Sequence, residues 1–271
     1  MPPNACRGSD SIIWRCTRQV RFDVGERSVL VIAGTDSSCG AGLLRDVVVL
    51  RQLGVRSKAA VTAVTAQSNA QVTAIHPVPP AVIAAQIRAA LEGDDIGVVK
   101  IGMLGTRTTV CAVARALENF AGQIICDPVL ASSSGVELLD HAGRKAMIEH
   151  LLPLVGLLTP NIPESAALLG GSIAIDEPQL AKQAAALSAW GPSILLKGGH
   201  FKGGQSAGTT CDDLLLERDG GMTWFKGPRL PGSMRGTGCA LSSAIAASLV
   251  RGSTLPEACR LAKEFVRREW R

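Results

Sequence analysis

Tyrosine is absent from the sequence, and aromatic residues make up only 3% of its 271 residues. Proteins that bind single-stranded nucleic acid stack bases on aromatic side chains, so this scarcity disfavours that class. The chain has no apolar run of the ~18 residues that a membrane-spanning helix needs. Its first residues contain no apolar block long enough for a secretory signal. We therefore expect a cytoplasmic protein without nucleic-acid or membrane partners.

The eight cysteines also lack the spacing that is typical of a metal site. None forms a C-x-x-C pair, and none has a histidine at the spacing of a zinc site. Cysteines in a chain without a secretory signal are expected to be reduced thiols. Cys39 and Cys239 stand apart from the others because they lie in glycine-rich turns.

The net charge of +5 lies at the two ends of the chain. Residues 1–27 carry a charge of +2 and residues 260–271 carry +3, so the chain between them is neutral. A neutral body offers no broad basic face for nucleic acid. We expect residues 1–26 to form an N-terminal extension that can be partly disordered, and residues 27–271 to form one domain.

Apolar β-branched runs alternate with helical segments through most of the chain. Strands that are apolar throughout and separated by helices are typical of a mostly parallel sheet with helices on both faces. Residues 211–217 and 222–226 predict an antiparallel hairpin. The pattern therefore predicts an α/β fold in three layers. Strands are predicted at 28–33, 58–66, 97–104, 123–129, 155–160 and 193–199, and helices at 43–54, 79–93, 107–120, 140–153, 161–169, 177–189, 237–251 and 255–268.

Polar, turn-rich segments follow or end six of the predicted strands. In parallel sheets, ligands bind beyond the carboxyl ends of the strands. Six strand ends of the same character predict a ligand site at that edge of the sheet. The segments are GTDSSCGAG (34–42), AQSNA (66–70), KIGML (100–104), DPVLASSSG (127–135), TPNIPE (159–164) and KGGH (197–200).

The strongest motif is SMRGTGCALSSAIAASLVRG, which introduces the predicted helix 237–251. Gly236, Thr237 and Gly238 can expose backbone N–H groups to an anion at the helix start, which suits a developing phosphoryl charge. Cys239 lies in the first turn, where a helix dipole lowers the pKa of a thiol, and it could accept a proton from a substrate hydroxyl or hydrogen-bond to it. A plain turn with Cys239 as filler is the alternative, and the motif alone favours neither.

Two further motifs suggest phosphate chemistry, and each has a structural alternative. Asn161 and Glu164 share a face of a predicted helix start, where a glutamate can hold water on Mg²⁺. An ordinary N-cap with a first-turn glutamate is the simpler interpretation. Lys197 follows an apolar strand and can meet a triphosphate as a point charge, or it can simply end the strand. His200 is expected to cap a turn.

The segment GTDSSCGAG resembles a phosphate-binding loop only loosely, since it lacks the lysine and spacing of the known motifs. Asp36 lies in this segment, and Asp46 follows its end by four residues. They either orient a polar small molecule or cap the loop and the following helix.

In their order along the chain, these motifs resemble the hydroxymethylpyrimidine/phosphomethylpyrimidine kinases of thiamine biosynthesis, in the ribokinase superfamily. The resemblance implies a ribokinase-like fold, ATP as phosphoryl donor, Mg²⁺ as cofactor, a pyrimidine alcohol and its monophosphate as substrates, and assembly as a homodimer. The matching stretches span about residues 28–266 and are AGTDSSCGAG, LGVRSKAAVTAVTAQ, VVKIGML, CDPVLASSSG, LLPLVGLLTPNIPESAALLG, LLKGGH and GTGCALSSAIAASLVRG.

The resemblance also implies a role for each matching site residue. Gln67 corresponds to the glutamine that hydrogen-bonds the pyrimidine, and a carboxamide suits this because it both donates and accepts. Cys239 corresponds to the family's catalytic cysteine. The remaining implied roles are pocket lining for Gly34 and Asp36, ring packing for Met103, the anion hole for Gly236, Thr237 and Gly238, Mg²⁺ and its waters for Asn161 and Glu164, and ATP contacts for Lys197 and Asp213.

Three positions depart from the family pattern. Ser133 stands where the family usually has a lysine, Cys39 where a glycine is expected, and Arg235 where a histidine is frequent. Loss of a lysine near the phosphate path can slow one phosphorylation, and Arg235 can partly replace its charge. The alternatives are a pyridoxal kinase of the same superfamily and a protein that binds the pyrimidine without phosphorylating it.

Overall fold

A computed structural model describes residues 27–93, 95–132, 134–198, 211–232 and 234–270. The predictions for the extension 1–26, for Ser133 and for His200 lie outside these residues. The boundaries of the single domain expected at 27–271 stay a prediction.

Nine strands form one sheet within the described residues, in the order β3-β2-β1-β4-β5-β6-β7-β8-β9. The six strands from β2 to β7 in this order are parallel, while β3, β8 and β9 each pair antiparallel with their neighbours. The strands are β1 Ser28–Asp36, β2 Ser57–Gln67, β3 Val72–Pro77, β4 Ile96–Ile101, β5 Gln123–Cys126, β6 Leu157–Leu158, β7 Ser193–Leu196, β8 Asp213–Leu216 and β9 Met222–Phe225.

Helices cover both faces of this sheet, which confirms the three-layer prediction. Because strand residues alternate between faces, Leu30 and Ile32 of β1 pack into one core while Val29 and Val31 pack into the other. The second core is closed by α1, α7 and α8, and the first by the remaining helices. The helices are α1 Gly42–Gln52, α2 Pro80–Gly93, α3 Arg107–Leu117, α4 His141–Ala146, α5 Ile162–Leu169, α6 Glu177–Ser188, α7 Thr237–Leu249 and α8 Leu255–Glu269.

The helix predicted at 140–153 differs from the structure. The α-helical part ends at Ala146, and a π-helical turn at Met147–Leu151 and a 3-10 turn at Leu152–Leu154 complete the segment. Pro153 explains the irregular end, because proline has no N–H to donate and its ring disrupts the preceding turn of an α-helix.

Strand β3 was not predicted from the sequence. It is a partly exposed edge strand, paired antiparallel with β2, and it ends at Pro77. It lacks the continuous apolar run that identified the inner strands, because an edge strand is covered less than a central one.

The order of the strands fixes where a ligand can bind. From β1 the chain moves outward to β2 and β3, and then returns to the other side of β1 as β4. A crevice opens beyond the carboxyl ends of the strands at such a switch point. Among the described residues, no helix is both long enough and apolar enough to cross a membrane.

Candidate active site

The loop after β1 is organised around the carboxylate of Asp36. Its Oδ1 accepts hydrogen bonds from the backbone N–H and the hydroxyl of Ser38 (2.8 and 2.7 Å), and its Oδ2 accepts from the Ala41 N–H (2.9 Å). Asp36 is buried. Of the two sequence interpretations, the structure shows the cap of the loop, and contact of Asp36 with a substrate stays a prediction.

Gln67 lies at the end of β2, beside this loop. The Ser37 hydroxyl accepts from the Gln67 N–H and donates to the Gln67 carbonyl, both at 2.8 Å. The hydroxyl of Thr65 donates to Oε1 of the Gln67 carboxamide at 3.3 Å. The backbone of Gln67 is therefore fixed to the loop after β1, with its carboxamide at the same edge of the sheet.

Met103 follows β4 and packs over Gly34. A Cβ at position 34 would lie 2.9 Å from the Met103 sulfur, so a larger residue there would displace the thioether. The structure thus brings the four predicted substrate-binding residues together at the carboxyl ends of β1, β2 and β4. They are Gly34, Asp36, Gln67 and Met103.

The first turn of α7 begins at Gly236, which has a φ of +69° in the left-handed region. A Cβ there would collide with the carbonyl oxygen of Gly40, so glycine lets this turn lie against the loop after β1. Gly236 is the N-cap and has no side chain to satisfy the N–H groups of the first turn. The open start of α7 is therefore suited to an anion.

Gly238 faces two charged groups from the neighbouring strands. A Cβ at this position would lie 3.2 Å from Oδ2 of Asp127 and 3.2 Å from Nζ of Lys197. The predicted anion-binding turn and the predicted phosphate-binding lysine are thus adjacent.

The prediction of a lowered pKa for Cys239 is wrong. Burial raises the pKa of this thiol to about 11, although the charge of Lys100 works in the opposite direction. The carboxylates of Asp46 and Asp127 raise it further. At neutral pH the half-buried side chain is therefore a protonated thiol, which can form a hydrogen bond but is not a thiolate base.

Lys197 is held between two carboxylates at the end of β7. Its Nζ donates to Oδ1 of Asp127 at 2.8 Å and lies 3.9 Å from Oε2 of Glu164. Burial alone would lower the pKa of Lys197, but attraction to Asp127 and Glu164 outweighs it and raises the pKa. Lys197 therefore carries a positive charge beside the start of α7.

Glu164 and Asn161 form a reciprocal cap at the start of α5. Oδ1 of Asn161 accepts from the Glu164 N–H, and Oε2 of Glu164 accepts from the Asn161 N–H, both at 2.8 Å. Burial raises the pKa of Glu164 to about 7, with Lys197 opposing the shift and Asp127 adding to it. The simpler interpretation of this motif is the one that the structure shows, and binding of Mg²⁺ waters stays a prediction.

Asp127 was not singled out from the sequence, although it lies in the segment DPVLASSSG. Together with Glu164 it offers carboxylate oxygens on both sides of Lys197. Mg²⁺ is usually held by one or two carboxylates, retained waters and the phosphates of a nucleotide. The described residues contain no cluster of three or more acidic, histidine or cysteine ligands, so these two carboxylates fit a magnesium ion held in that way and not in a protein cage.

Both carboxylate oxygens of Asp213 accept hydrogen bonds from other residues of the chain. Its Oδ1 accepts from the Gly198 N–H and its Oδ2 accepts from Nζ of Lys263, each at 2.8 Å. It therefore anchors the turn after β7 to α8. Contact of Asp213 with ATP stays a prediction.

A second lysine cluster lies beneath α7 and was also missed. Nζ of Lys100 donates to Oδ2 of Asp46 at 2.7 Å, and the Ser243 hydroxyl donates to Oδ1 of Asp46 at 2.8 Å. Burial works against the charge of Lys100, but the attraction of Asp46 outweighs it and raises the pKa of the lysine. The cluster ties β4 to α1 and α7, one turn after Cys239. A single lysine in the otherwise apolar strand IGVVKI was the available signal.

The cysteines within the described residues, six in all, are free, as expected for reduced thiols. Cys39 is exposed and has a φ of +59°, a conformation that glycine adopts without steric cost. Cysteine occupies this position where the resemblance led us to expect glycine.

Comparisons with known proteins agree with this geometry. The sequence model of the phosphomethylpyrimidine kinase family matches residues 36–271. The chain is 40% identical to a hydroxymethylpyrimidine/phosphomethylpyrimidine kinase of Rhizobium meliloti over 238 residues, which are 88% of each protein. It is 36% identical over 267 residues to the thiamine biosynthesis bifunctional protein ThiED of Geobacter sulfurreducens, covering 97% of this chain and 53% of that protein.

Solved structures with the same fold include two kinds of vitamin kinase. A phosphomethylpyrimidine kinase of Clostridium difficile is similar with a TM-score of 0.78 and 29% identity, covering 91% of this chain and 100% of that one. A pyridoxal kinase from Staphylococcus aureus in complex with AMP-PCP is similar with a TM-score of 0.78 and 26% identity, covering 90% and 88%. These likenesses confirm the ribokinase-like fold.

Proposed function

Because the chain belongs to the phosphomethylpyrimidine kinase family, we propose that it phosphorylates 4-amino-5-hydroxymethyl-2-methylpyrimidine and then its monophosphate. The family predicted from the sequence is confirmed, and with it a kinase that serves thiamine biosynthesis. ATP is the phosphoryl donor that this family implies. The order of the two phosphorylations and the identity of the pyrimidine are the proposed part.

One observation carries the proposal: the uncapped start of α7 faces Lys197 and lies at the same edge of the sheet as Gln67. The lysine and the backbone N–H groups suit a transferring phosphoryl group. The carboxamide of Gln67 suits the donor and acceptor edge of an aminopyrimidine. One crevice therefore offers groups suited to the phosphoryl group and groups suited to the pyrimidine that accepts it.

The protein contributes mainly position and charge to such a transfer. The bond between the γ-phosphorus and the ADP oxygen breaks while the substrate hydroxymethyl oxygen attacks in line, and the hydroxyl proton passes to an oxygen of the transferred phosphoryl group. Lys197 and the first turn of α7 stabilise the charge on the transferring group. The protonated thiol of Cys239 hydrogen-bonds to the substrate hydroxyl, because a thiol with a pKa of about 11 is not a useful base at neutral pH.

Asp127 and Glu164 are the residues that would hold Mg²⁺, with Glu164 acting through water. When bound, the ion would supply charge neutralisation at the nucleotide phosphates. The same carboxylates keep Lys197 charged in the ligand-free protein.

The test is an assay of ADP formation with Mg-ATP and three acceptors in parallel: the hydroxymethylpyrimidine, its monophosphate and pyridoxal. We expect kcat/KM for the pyrimidine alcohol to exceed that for pyridoxal by at least about tenfold, since a pocket that leaves a polar group unpaired loses ~1.4 kcal/mol or more. A preference for pyridoxal would favour the second candidate, which the likeness to the pyridoxal kinase supports. Binding of the pyrimidine without ADP formation would favour a non-catalytic binding protein.

Assembly and location belong to the same proposal. The cytoplasmic location stays a prediction from the sequence, and a homodimer is what the family resemblance implies. Sedimentation equilibrium of the purified protein will show whether it is a dimer, and a mass near 28.2 kDa would contradict that assignment.

A further inference from the structure

Arg235, the residue before the N-cap of α7, joins three separate segments. One terminal nitrogen donates to the Ser68 carbonyl and to Oδ1 of Asn69, both at 2.9 Å, and to the Ser38 hydroxyl at 3.2 Å. The other terminal nitrogen donates to Oδ2 of Asp36 at 3.2 Å. The guanidinium thus connects the turn into α7 with the loop after β1 and the loop after β2.

The surroundings make this connection stronger than an ordinary surface contact. The side chain of Asp36 is 3% exposed and that of Arg235 is 21% exposed, so their ion pair is largely shielded from solvent. A planar guanidinium can serve several acceptors at fixed angles, which a lysine ammonium or an imidazole does less well.

The loops that Arg235 joins are the ones that carry the proposed pyrimidine-binding residues. Ser68 and Asn69 directly follow Gln67, and Asp36 begins the loop that Ser37 already fastens to Gln67. On the other side, Arg235 directly precedes the turn that holds Cys239. A shift of either loop would change the distance between the pyrimidine site and the phosphoryl site.

We propose that Arg235 is a positioning residue that fixes the pyrimidine-binding loops against the start of α7 before substrate binds. This inference rests on the proposed function for the identity of the two sites, while the connection itself rests on the hydrogen bonds alone. Correct alignment of two reactants is worth orders of magnitude in rate, so a connection of this kind affects binding and turnover together.

The geometry separates this role from a direct phosphate contact. The Asp36 carboxylate balances the charge of Arg235, and its terminal nitrogens already have four acceptors in the protein. Loss of a positioning residue weakens phosphorylation of the alcohol and of the monophosphate alike. Loss of a residue that contacts the phosphate of the acceptor weakens phosphorylation of the monophosphate alone.

The experiment compares Arg235→Ala, Arg235→Lys and Asn69→Ala in the full-length protein, with Arg260→Ala as the matched control. Arg260 donates three hydrogen bonds against the four of Arg235, but it does so to glutamates on the exposed surface of α8. For Arg235→Ala we expect KM to rise about tenfold for both pyrimidine acceptors, with a much smaller change in the KM of ATP. Arg235→Lys should recover part of this loss, Asn69→Ala should lose about threefold or less, and Arg260→Ala should behave as wild type.

Hydrogen–deuterium exchange without any ligand gives a readout that is independent of turnover. In Arg235→Ala, amides of residues 36–41 and 68–71 should exchange faster, while those of β4 stay protected. Unchanged exchange in these loops, or a kinetic loss confined to the monophosphate, would overturn the inference. If Arg235→Ala does not fold, Asn69→Ala tests the same loop exchange. If the wild type proves inactive towards pyrimidines, the proposed function fails, and the exchange data still decide the role of Arg235.

Discussion

Two lysine–carboxylate pairs border α7, and they differ in their access to solvent. Lys100 and Asp46 lie beneath the helix, 2.7 Å apart with both side chains 0% exposed. Lys197 and Asp127 lie beside its first turn, 2.8 Å apart with side chains 15% and 4% exposed. The first pair braces three elements of the fold, while the second borders the crevice. We therefore expect the buried pair to serve stability and the pair at the crevice to serve ligand binding.

Removing one partner of the buried Lys100–Asp46 pair, called the brace below, should have the largest effect on stability. Asp46→Ala leaves the Lys100 ammonium buried without a counter-charge, and we expect a loss of about 3–5 kcal/mol in the free energy of unfolding. Urea denaturation measures it. Asp95→Ala is the control, because it breaks an ion pair with Arg27 in which both side chains are 64% exposed, and such pairs contribute ~1 kcal/mol or less. A loss below that of the control would show that the buried pair is not a brace.

Breaking the pair at the crevice should affect turnover more than stability. Lys197→Met removes the charge that faces the start of α7, and we expect kcat/KM to fall about 100-fold or more. The free energy of unfolding should fall less than in Asp46→Ala, because water reaches this pair. Lys145→Met, at a side chain that is 71% exposed on α4, is the control. If Lys197→Met unfolds the protein as strongly as Asp46→Ala, the distinction between the pairs is wrong.

Glu164 should give the crevice a pH dependence that the brace lacks. Its pKa is about 7 in the folded protein against 4.5 for an ordinary glutamate, so the folded state binds the proton more tightly. The resulting stabilisation is present below pH 4.5 and is lost as the pH rises to about 7, with an upper limit of about 3 kcal/mol. Glu164→Gln should flatten the unfolding free energy over this interval.

Denaturation at several pH values tests the prediction for Glu164. Glu149→Gln, at a side chain that is 47% exposed in the π-helical turn, should leave the wild-type slope unchanged. A slope that persists in Glu164→Gln would assign the pH dependence to other groups.

Cys239, which lies between the two pairs, should show the smallest effect. If its thiol only donates or accepts a hydrogen bond, Cys239→Ala should lower kcat about tenfold, which corresponds to ~1.4 kcal/mol, with little change in pyrimidine binding. In the wild type, kcat should show no titration of this thiol between pH 6 and 9, because its pKa is about 11. A loss of 1,000-fold or more would instead support proton transfer to the sulfur.

Sequence reasoning succeeded where a local pattern carries the information. Apolar runs located the inner strands, and Gly236 and Gly238 identified the first turn of α7, which faces Lys197. The pairing of Lys100 with Asp46 was missed because the two residues are 54 positions apart and only the packing of α1 on the sheet brings them together. The predicted pKa of Cys239 was wrong because it also depends on packing: burial and neighbouring carboxylates outweigh the helix dipole.

Because the N-cap of α7 is Gly236, no side chain of that residue caps the backbone N–H groups of the first turn. A serine or aspartate is the usual N-cap and would satisfy these main-chain donors, but at position 236 its Cβ would collide with the Gly40 carbonyl oxygen. With glycine, those donors have no side-chain partner, so we expect an anion bound in the crevice to complete the cap of the helix. We therefore expect the melting temperature to rise with the logarithm of nucleotide concentration above the dissociation constant.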